Sequence, residues 1–103
     1  MAVYAVIFTS KLKPSAERYE AMAEEMERLT RAQPGFLGIE SARAPSGEGI
    51  TVCYWESLDA IAAWKANVRH QAAQKRGREE WYERYSLKIC RVEREDDFSS
   101  NTP

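Results

Sequence analysis

Four short stretches of the chain combine β-branched and aromatic residues without a helical period, which predicts four β-strands. The predicted strands are Val3–Thr9, Phe36–Ala44, Ile50–Trp55 and Ser86–Glu93. The segment between the second and third strands, Pro45 to Gly49, has the proline, serine and glycine content of a tight connection. These two strands are therefore expected to form an antiparallel hairpin.

Two further stretches have the spacing of amphipathic helices. In the first of them, apolar residues recur three, four and seven positions apart. They are Tyr19, Met22, Ala23, Met26, Leu29 and Thr30. This helix is expected to begin near Ser15 and to end near Gln33, because Pro34 and Gly35 cannot continue it.

The second helical stretch begins after Ser57, a good N-cap, and Asp59 in its first turn complements the helix dipole. Strong helix formers predict one continuous helix through Gln74. The buried stripe expected from its period is Ile61, Trp64, Val68 and Ala72. Gly77 is expected to break or bend the chain, and a shorter helical piece, Arg78–Arg84, should follow it.

The predicted order of elements is strand, helix, strand, strand, helix, strand. With right-handed crossovers, this order gives an α+β, ferredoxin-like βαββαβ sandwich whose four-stranded antiparallel sheet is ordered 4-1-3-2. Both helices then cover the same face of the sheet. Residues 1–94 are expected to form this single domain, and residues 95–103 a flexible C-terminal tail of acidic and then small polar residues.

The uncovered face of the predicted sheet is as apolar as the covered one. In the first strand, one face carries Tyr4, Val6 and Phe8, and the other carries Val3, Ala5 and Ile7. An open apolar sheet face exceeds the patch of roughly 300–600 Å² that a soluble monomer usually exposes. We therefore expect a homodimer in which two copies bury this open face against each other.

The composition excludes several classes of partner. Fifteen basic and sixteen acidic residues give a net charge of −1, and no basic stripe with interleaved aromatic residues is present, which argues against nucleic acid. The apolar start, Met1 to Phe8, is too short to span a membrane and lacks the flanks of a secretion signal. The chain is therefore expected to be cytoplasmic, without a membrane partner.

Short motifs that bind cofactors or metals are missing from the sequence. It contains no glycine-rich phosphate loop, no H-E-x-x-H motif and no G-x-S-x-G elbow. Cys53 and Cys90 lack the spacing of a zinc site, and they are not expected to pair because their strands are separated by the first strand. Neither a metal nor a cofactor is predicted, so catalysis would use side chains and the substrate itself.

Candidate chemistry is concentrated on the second predicted helix. Its helical wheel places Asn67 at the edge of the buried stripe, Gln71 close to Trp64, and His70 further round. An aromatic ring, an amide and an imidazole on one side of a helix can line a pocket wall. His70, the single histidine, also titrates nearest neutrality. The competing interpretation is structural, with Trp64 in the core and His70 in solvent.

Four motifs extend over the predicted domain. They are G-F-x-G-I-E at Gly35–Glu40, Y-W-x-S-L-x-A-I-x-A-W-K at Tyr54–Lys65, H-x-x-A-Q-x-x-G-R-x-x-W-Y at His70–Tyr82 and R-V-E-R at Arg91–Arg94. Together with the first strand, this pattern resembles the antibiotic biosynthesis monooxygenase (ABM) domain family. The resemblance implies a dimeric α+β barrel, in which two ferredoxin-like sheets pack together.

The resemblance also implies a reaction. Some members of that family oxidise polyphenols, anthrones or quinols with O₂ and no cofactor, after a pocket residue has helped to deprotonate the substrate. Carried onto this chain, it gives His70 as the base or hydrogen-bond partner, with Asn67 and Trp64 as the other catalytic residues. A phenolic substrate would then stack against Trp64, Phe8 or Tyr4. Gln71, from the helical wheel, and Trp55 and Trp81 are further candidate substrate contacts, with packing the favoured interpretation for the two tryptophans.

Two alternative functions stay open at this point. Other members of the family degrade haem with an Asn on the first strand, whereas the matching segment here, Val6 to Phe8, has none. The spacing from Trp64 to His70 is also shorter than the haem pattern requires. The other alternative is a non-catalytic dimer that binds a small molecule or is associated with stress, because many family members have no established reaction.

Overall fold

The computed structural model describes residues 2–100. Within this range the elements are β1 (Tyr4–Leu12), α1 (Tyr19–Arg31), β2 (Phe36–Arg43), β3 (Glu48–Trp55), α2 (Leu58–Lys65), α3 (Val68–Arg76) and β4 (Tyr82–Arg91). A single π-helical turn, Gly77–Trp81, joins α3 to β4. The predicted α+β, ferredoxin-like fold is confirmed, with the second helix divided into two.

The four strands form one antiparallel sheet in the order β2-β3-β1-β4, which is the predicted order. Ile7 of β1 lies between Val52 of β3 and Lys88 of β4, and Glu40 of β2 lies beyond Val52. Residues paired in this way point to the same face of a sheet, and the next residue along each strand points to the other. We call the face that packs against the helices the helix face, and the other the open face.

The hydrophobic core lies between the helix face and the helices. Its most buried cluster is Trp55, Ile61 and Trp64, which are 1%, 7% and 7% exposed. Partly buried side chains from both layers pack against this cluster. They are Tyr4, Val6, Met26, Leu29, Phe36, Cys53 and Ala60.

Gly35 allows β2 to start directly against α2. Its φ of +83° is a conformation that side-chain-bearing residues rarely adopt, and a Cβ there would lie 2.6 Å from the Cβ of Ala60. The carbonyl of Gly35 also accepts a hydrogen bond of 2.9 Å from the backbone N–H of Glu56. This close approach fixes where α2 begins on the sheet.

The prediction of one continuous helix through Gln74 is wrong. The chain leaves helical geometry at Asn67, where φ is −60° and ψ is 129°, so that α2 ends at Lys65 and α3 starts at Val68. An Asn side chain can hydrogen-bond nearby backbone N–H groups and so offers the chain an alternative to a continuous helix. Here that local bonding prevails over the helix propensity of the surrounding residues.

The break changes which side of the chain is buried after Trp64. Ile61 and Trp64 are buried as predicted, but Val68 is 78% exposed and Ala72 is also exposed. Ala73 is the buried residue of α3 instead. The predicted stripe therefore holds for α2 and fails for α3, because the chain leaves helical geometry at Asn67 between them.

The predicted helical piece Arg78–Arg84 is also wrong beyond Trp81. Strand β4 starts at Tyr82 rather than at Ser86, and Tyr82 pairs with Leu12 across an irregularity in the ladder. Strand β1 likewise continues past Thr9 to Leu12. The two strands extend each other, and such a tertiary effect cannot be seen in either segment separately.

Residues 92–100 form neither helix nor strand. At their start, the N–H of Val92 donates a 2.9 Å hydrogen bond to the carbonyl of Val3. The flexible tail over 95–103 stays a prediction, and its end, 101–103, lies outside the described residues. None of the helices in the described range is long and apolar enough to span a bilayer.

Candidate functional site

The candidate site is organised by the helix break at Asn67. The side-chain Oδ1 of Asn67 accepts hydrogen bonds from the backbone N–H groups of Arg69 and His70, at 2.9 and 3.2 Å. These groups would have no partner within α3, because the first turn of a helix lacks preceding carbonyls. Asn67 is thus the N-cap of α3, and its cap fixes the position of His70 in the first turn.

The break turns the imidazole of His70 back over Trp64. The two rings are parallel within 6° and their centroids are 4.4 Å apart. The His70 Nδ1 lies 3.1 Å from the backbone carbonyl oxygen of Trp64. A carbonyl only accepts hydrogen bonds, so the neutral imidazole carries its proton on Nδ1.

This tautomer leaves Nε2 as the basic nitrogen. No described group hydrogen-bonds Nε2, and the described residues contain no buried side-chain nitrogen or oxygen without a partner. Nε2 is therefore open to solvent or to a ligand. Burial lowers the pKa of His70, the bond to the Trp64 carbonyl raises it in part, and the charge of Lys65 lowers it further. A neutral imidazole with one free basic nitrogen is the form required of a general base near pH 7.

An ion pair fastens α3 to α1 beside this site. The Arg69 Nε lies 2.9 Å from Glu25 Oε1, and the same carboxylate oxygen is contacted by a terminal nitrogen of the guanidinium. Arg69 is largely exposed, so the pair contributes little stability, on the order of 0.2–1 kcal/mol. The pair connects the first turn of α3 to α1.

Trp64 is the floor of the site rather than an open surface. One side of its indole is covered by the imidazole, and the side chain belongs to the core cluster with Trp55. Tyr4 packs against the same cluster. The structure thus brings together four of the predicted site residues, and Asn67 is immediately adjacent to them. The four are Tyr4, Trp55, Trp64 and His70.

The other predicted site residues lie elsewhere. Phe8 contacts the rings of Tyr82 and Tyr85 at centroid distances of 5.5 and 5.4 Å. Gln71 is exposed on α3. Trp81 is 3% exposed, and its Nε1–H donates to the carbonyl of Glu17 at 3.0 Å. Neither Phe8 nor Trp81 shares a ring contact with Trp64 or His70.

Trp81 also borders a cleft of about 270 Å³. The rest of the lining is polar and charged: Ser15, Glu17, Arg18, Arg76 and Glu80. Arg76 is engaged there already, since it pairs with Glu80 at 2.6 Å and lies over the Trp81 ring, 5.1 Å from its centroid. A lining of this charge is poorly suited to an apolar planar ligand.

Strand β4 carries an apolar strip that the sequence pattern alone does not single out. Leu87 and Ile89 are 42% and 47% exposed, although they point to the helix face. They pair with Phe8 and Val6 of β1, and Val6 packs against the core cluster that contains Trp64. We call Leu87 and Ile89 the β4 strip. The period-two spacing of Leu87 and Ile89 could have indicated it, but only the position of the helices shows that they leave it uncovered.

A second aromatic cluster lies at the opposite end of the helix face. The Tyr82 hydroxyl is 3.3 Å from that of Tyr19, and one terminal nitrogen of Arg43 donates to Tyr19 Oη and to Ser10 Oγ at 3.1 and 3.0 Å. Burial, followed by the hydrogen bond to Tyr19, strongly raises the pKa of Tyr82. Its phenol therefore stays protonated, and this cluster is a bonded structural network rather than a reactive one.

Neither cysteine forms part of a site. Cys53 points to the helix face and Cys90 to the open face, so they cannot form a disulfide bond, and both are free thiols. Burial, followed by the charge of Glu27, raises the pKa of Cys53 to about 11, which disfavours its reactive thiolate. Within residues 2–100 no three His, Cys, Asp or Glu side chains are grouped so as to hold a metal ion.

The fold and the site together define a ferredoxin-like α+β domain with one imidazole on the helix side of its sheet. The model of the family described as antibiotic biosynthesis monooxygenase matches residues 3–76. The chain therefore belongs to this family.

A relative and two solved structures show the range of similarity. The chain is 48% identical to an uncharacterized protein, YqjZ of Bacillus subtilis, over 96% of its own length and 87% of the relative's. It resembles SnoaB, a cofactor-independent oxygenase from Streptomyces nogalater, with a TM-score of 0.73 and 11% identity over 97% of this chain and 100% of that one. Rv0793 from Mycobacterium tuberculosis gives a TM-score of 0.75 and 19% identity over 94% and 99%. At these identities the two structures support the fold alone.

Proposed function

We propose that the protein is a cofactor-independent monooxygenase that oxidises a small aromatic or quinol substrate with O₂. The single observation that carries this proposal is the imidazole of His70, which is stacked on Trp64, hydrogen-bonded through Nδ1 to a carbonyl and free at Nε2. Family membership supports a monooxygenase-type fold, and the likeness to SnoaB supports the same fold.

In the proposed reaction, Nε2 of His70 takes a proton from an acidic hydroxyl or methylene group of the substrate. The resulting anion is electron-rich, and it transfers one electron to O₂, giving a substrate radical and superoxide. The two combine into a peroxide, which takes up the proton. For a methylene substrate such as an anthrone, loss of water then leaves a ketone, so that one oxygen atom enters the product and the other leaves as water. Proton transfer to a positioned base of this kind contributes about 10²–10⁴-fold to the rate.

The proposed substrate lies against the β4 strip and beside Val6. These side chains present apolar surface to a planar ring, on the side of the sheet that also carries Tyr4 and Trp64. In this proposal Trp64 supports the imidazole from below and does not stack on the substrate. Asn67 is a positioning residue, because its Oδ1 is used by the cap and only its amide nitrogen is left for a ligand. The other predicted substrate contacts, with Phe8 the nearest to the strip, stay predictions.

Oxygen uptake tests the proposal. The wild type is mixed with a panel of anthrones and hydroquinones, and uptake is followed with an electrode beside His70→Gln and the matched control Lys75→Gln, which introduces the same residue at an exposed position of α3. We expect turnover of at least one substrate, a loss of about 10²-fold in His70→Gln, and wild-type rates in the control. Equal rates in all three proteins would remove His70 from the mechanism.

A second candidate function is binding without turnover. It is favoured by the burial of Trp64, which is 7% exposed and leaves only the edge of the site for a ligand. Two measurements separate these functions. A non-catalytic protein would be stabilised against thermal unfolding by a phenolic compound, but it would consume no oxygen with any member of the panel.

We also propose that the protein is a homodimer joined through the open face. The centre of this face is apolar, with Ala5, Ile7, Val52 and Tyr54 side by side on β1 and β3. Ile50, next to them, is 44% exposed in the single chain. Sedimentation velocity at micromolar concentration should report twice the mass of one chain, and a stable single-chain species would refute the dimer.

A further inference from the structure

From Tyr85 onward, every second residue of β4 points to the helix face, and these residues form one ordered row. In chain order they are Tyr85, Leu87, Ile89 and Arg91, which pair with Ser10, Phe8, Val6 and Tyr4 of β1. The row therefore begins with a phenol, continues through the β4 strip and ends on a guanidinium. At about 3.3 Å per residue, the strand covers about 13 Å from Leu87 to Arg91.

Arg91 lies at the same end of the sheet as the imidazole. Its neighbour in the ladder is Tyr4, which on its other side pairs with Trp55 of β3. Tyr4 packs against the core cluster that contains Trp64, and His70 is stacked on Trp64. The guanidinium, the β4 strip and the free imidazole nitrogen therefore all lie on the helix side of the sheet.

The guanidinium of Arg91 is not used within the described part of the chain. It takes part in none of the ion pairs and donates none of the side-chain hydrogen bonds found in residues 2–100. Acidic residues that follow it closely in sequence are Glu93, Glu95, Asp96 and Asp97. By contrast, Arg84 on the same strand pairs with Glu48 at 2.6 Å. Arg91 is exposed, so its N–H donors are open to a ligand.

A guanidinium at the end of an apolar strip fits one class of ligand. A carboxylate matches the planar fork of an arginine and accepts two parallel hydrogen bonds from it. An aromatic ring attached to that carboxylate would bury apolar surface of Leu87 and Ile89, which are 42% and 47% exposed. A neutral ring would use the strip alone, and a small acid would use the guanidinium alone. An aromatic carboxylate uses both.

We infer that Arg91 selects substrates that carry a carboxylate on their aromatic ring system, with the guanidinium binding the carboxylate and the β4 strip carrying the ring. This inference rests on the proposed function and adds the substrate class and the residue that recognises it. Arg91 makes the same contact before and during the reaction, so it acts on KM, whereas the imidazole of His70 acts on kcat.

The competing explanation for Arg91 is structural. Strand β4 is an outer strand of the sheet, and a basic side chain on an outer strand discourages pairing with another sheet. That role needs a charge but no ligand. Under it, binding of an aromatic molecule to the β4 strip would not depend on Arg91.

Two probes of nearly the same shape isolate the contribution of the carboxylate. Naphthoate and naphthamide have the same rings, only the first is charged, and neither is consumed in the proposed reaction. Titrations followed by ¹H–¹⁵N NMR measure both affinities and show whether the amide signals of Leu87 and Ile89 shift. We expect the wild type to bind naphthoate about tenfold more tightly than naphthamide, with shifts along the β4 strip.

Variants of Arg91 connect this preference to the guanidinium. Arg91→Gln should bind the two probes equally, and Arg91→Lys should keep part of the preference, because it keeps the charge without the planar fork. The control Arg28→Gln makes the same change at an exposed position of α1 and should behave as the wild type. In oxygen uptake, an anthrone carboxylate should have a lower KM than the neutral anthrone, and Arg91→Gln should raise that KM with kcat little changed.

The possible results separate this inference from the proposed function. Equal affinities of the wild type for the two probes, or a preference for naphthoate that persists in Arg91→Gln, would overturn the role of Arg91 without touching the proposed reaction. A preference that depends on Arg91, without oxygen uptake from any substrate, would support the carboxylate site and refute the proposed reaction.

Discussion

The two ends of the helix face are both built from aromatic rings, but they differ in what their polar atoms do. At the tryptophan end, defined by Trp55, Trp64 and His70, an imidazole nitrogen has no partner among the described groups. At the tyrosine end, defined by Tyr19, Tyr82 and Arg43, the phenols and the guanidinium bond to one another.

The contrast shows that aromatic density does not identify a reactive site. Burial acts on both ends, lowering the pKa of His70 and raising that of Tyr82. In both cases it favours the neutral form. A neutral imidazole is a base, whereas a neutral phenol held in a hydrogen-bonded pair is not. The same physical effect therefore leaves a free basic nitrogen at one end and a hydrogen-bonded phenol at the other.

The largest expected effect is a loss of stability, and it should be similar at both ends, because Trp81 packs edge to face against Tyr19 of the tyrosine end, with ring centroids 5.7 Å apart. Trp64→Ala and Trp81→Ala each remove a buried indole, and each should lower the free energy of unfolding by about 3–5 kcal/mol. Urea denaturation measures both variants. If either variant lost less than about 1 kcal/mol, well below that range, the corresponding tryptophan would not be a core residue.

Next in size is the loss of the cap at Asn67. Asn67→Ala leaves the N–H groups of Arg69 and His70 without their acceptor, and it should cost about 0.5–2 kcal/mol of unfolding free energy and reduce oxygen uptake. Asn67→Asp is the matched control, since it keeps an acceptor oxygen at the same place and should keep most of the activity. An Asp variant as inactive as the Ala variant would show that the amide nitrogen itself contacts the substrate.

At the tyrosine end, Tyr82→Phe removes the hydroxyl that lies 3.3 Å from Tyr19 and leaves the ring. The expected cost is about 0.5–1.5 kcal/mol of unfolding free energy, without any change in oxygen uptake. Urea denaturation and the oxygen electrode measure the two quantities on the same preparation. A loss of oxygen uptake comparable to that of His70→Gln would show that the tyrosine end takes part in the proposed reaction.

The smallest expected effect is the pH dependence of stability. Because the folded-state pKa of His70 is lowered, the unfolded chain binds a proton at higher pH than the folded one. The wild type should therefore lose stability as the pH falls below the unfolded value of about 6.5 towards the lower folded value. His70→Gln should lose less over the same range. Urea titrations at about pH 8 and about pH 5 measure the unfolding free energy of both proteins. If it fell by the same amount in the wild type and in His70→Gln between these two pH values, the lowered pKa of His70 would be contradicted.

Much of the fold could be predicted from hydrophobic periodicity. The strands, the α1 stripe and the burial of Trp64 follow from local patterns, because each strand and helix has its own period. The strand order follows from the order of these elements and the right-handed crossovers. The break at Asn67 could not be predicted in this way, since the helix propensities on both sides are high and a single side chain decides the outcome. The early start of β4 depends on Leu12 of a distant strand, which a local pattern does not contain.

Only part of the candidate site could be predicted, because local patterns do not contain the break at Asn67. The residue types around His70 indicated chemistry, but a continuous helix would point the imidazole away from Trp64. The stacking of the two rings exists because the chain turns at Asn67. The β4 strip, Leu87 and Ile89, is recognisable only once the helices are in place, because exposure is a property of the assembled layers.

The state of the His70 imidazole is the most direct test of this account, and the chain is well suited to it because it contains one histidine. Long-range ¹H–¹⁵N correlation NMR on uniformly labelled protein distinguishes the two neutral tautomers and follows the ring nitrogens through a pH titration. We expect a neutral ring protonated on Nδ1, with a pKa below the ordinary value of about 6.5. A ring protonated on Nε2, or a pKa above that of a free histidine, would contradict it.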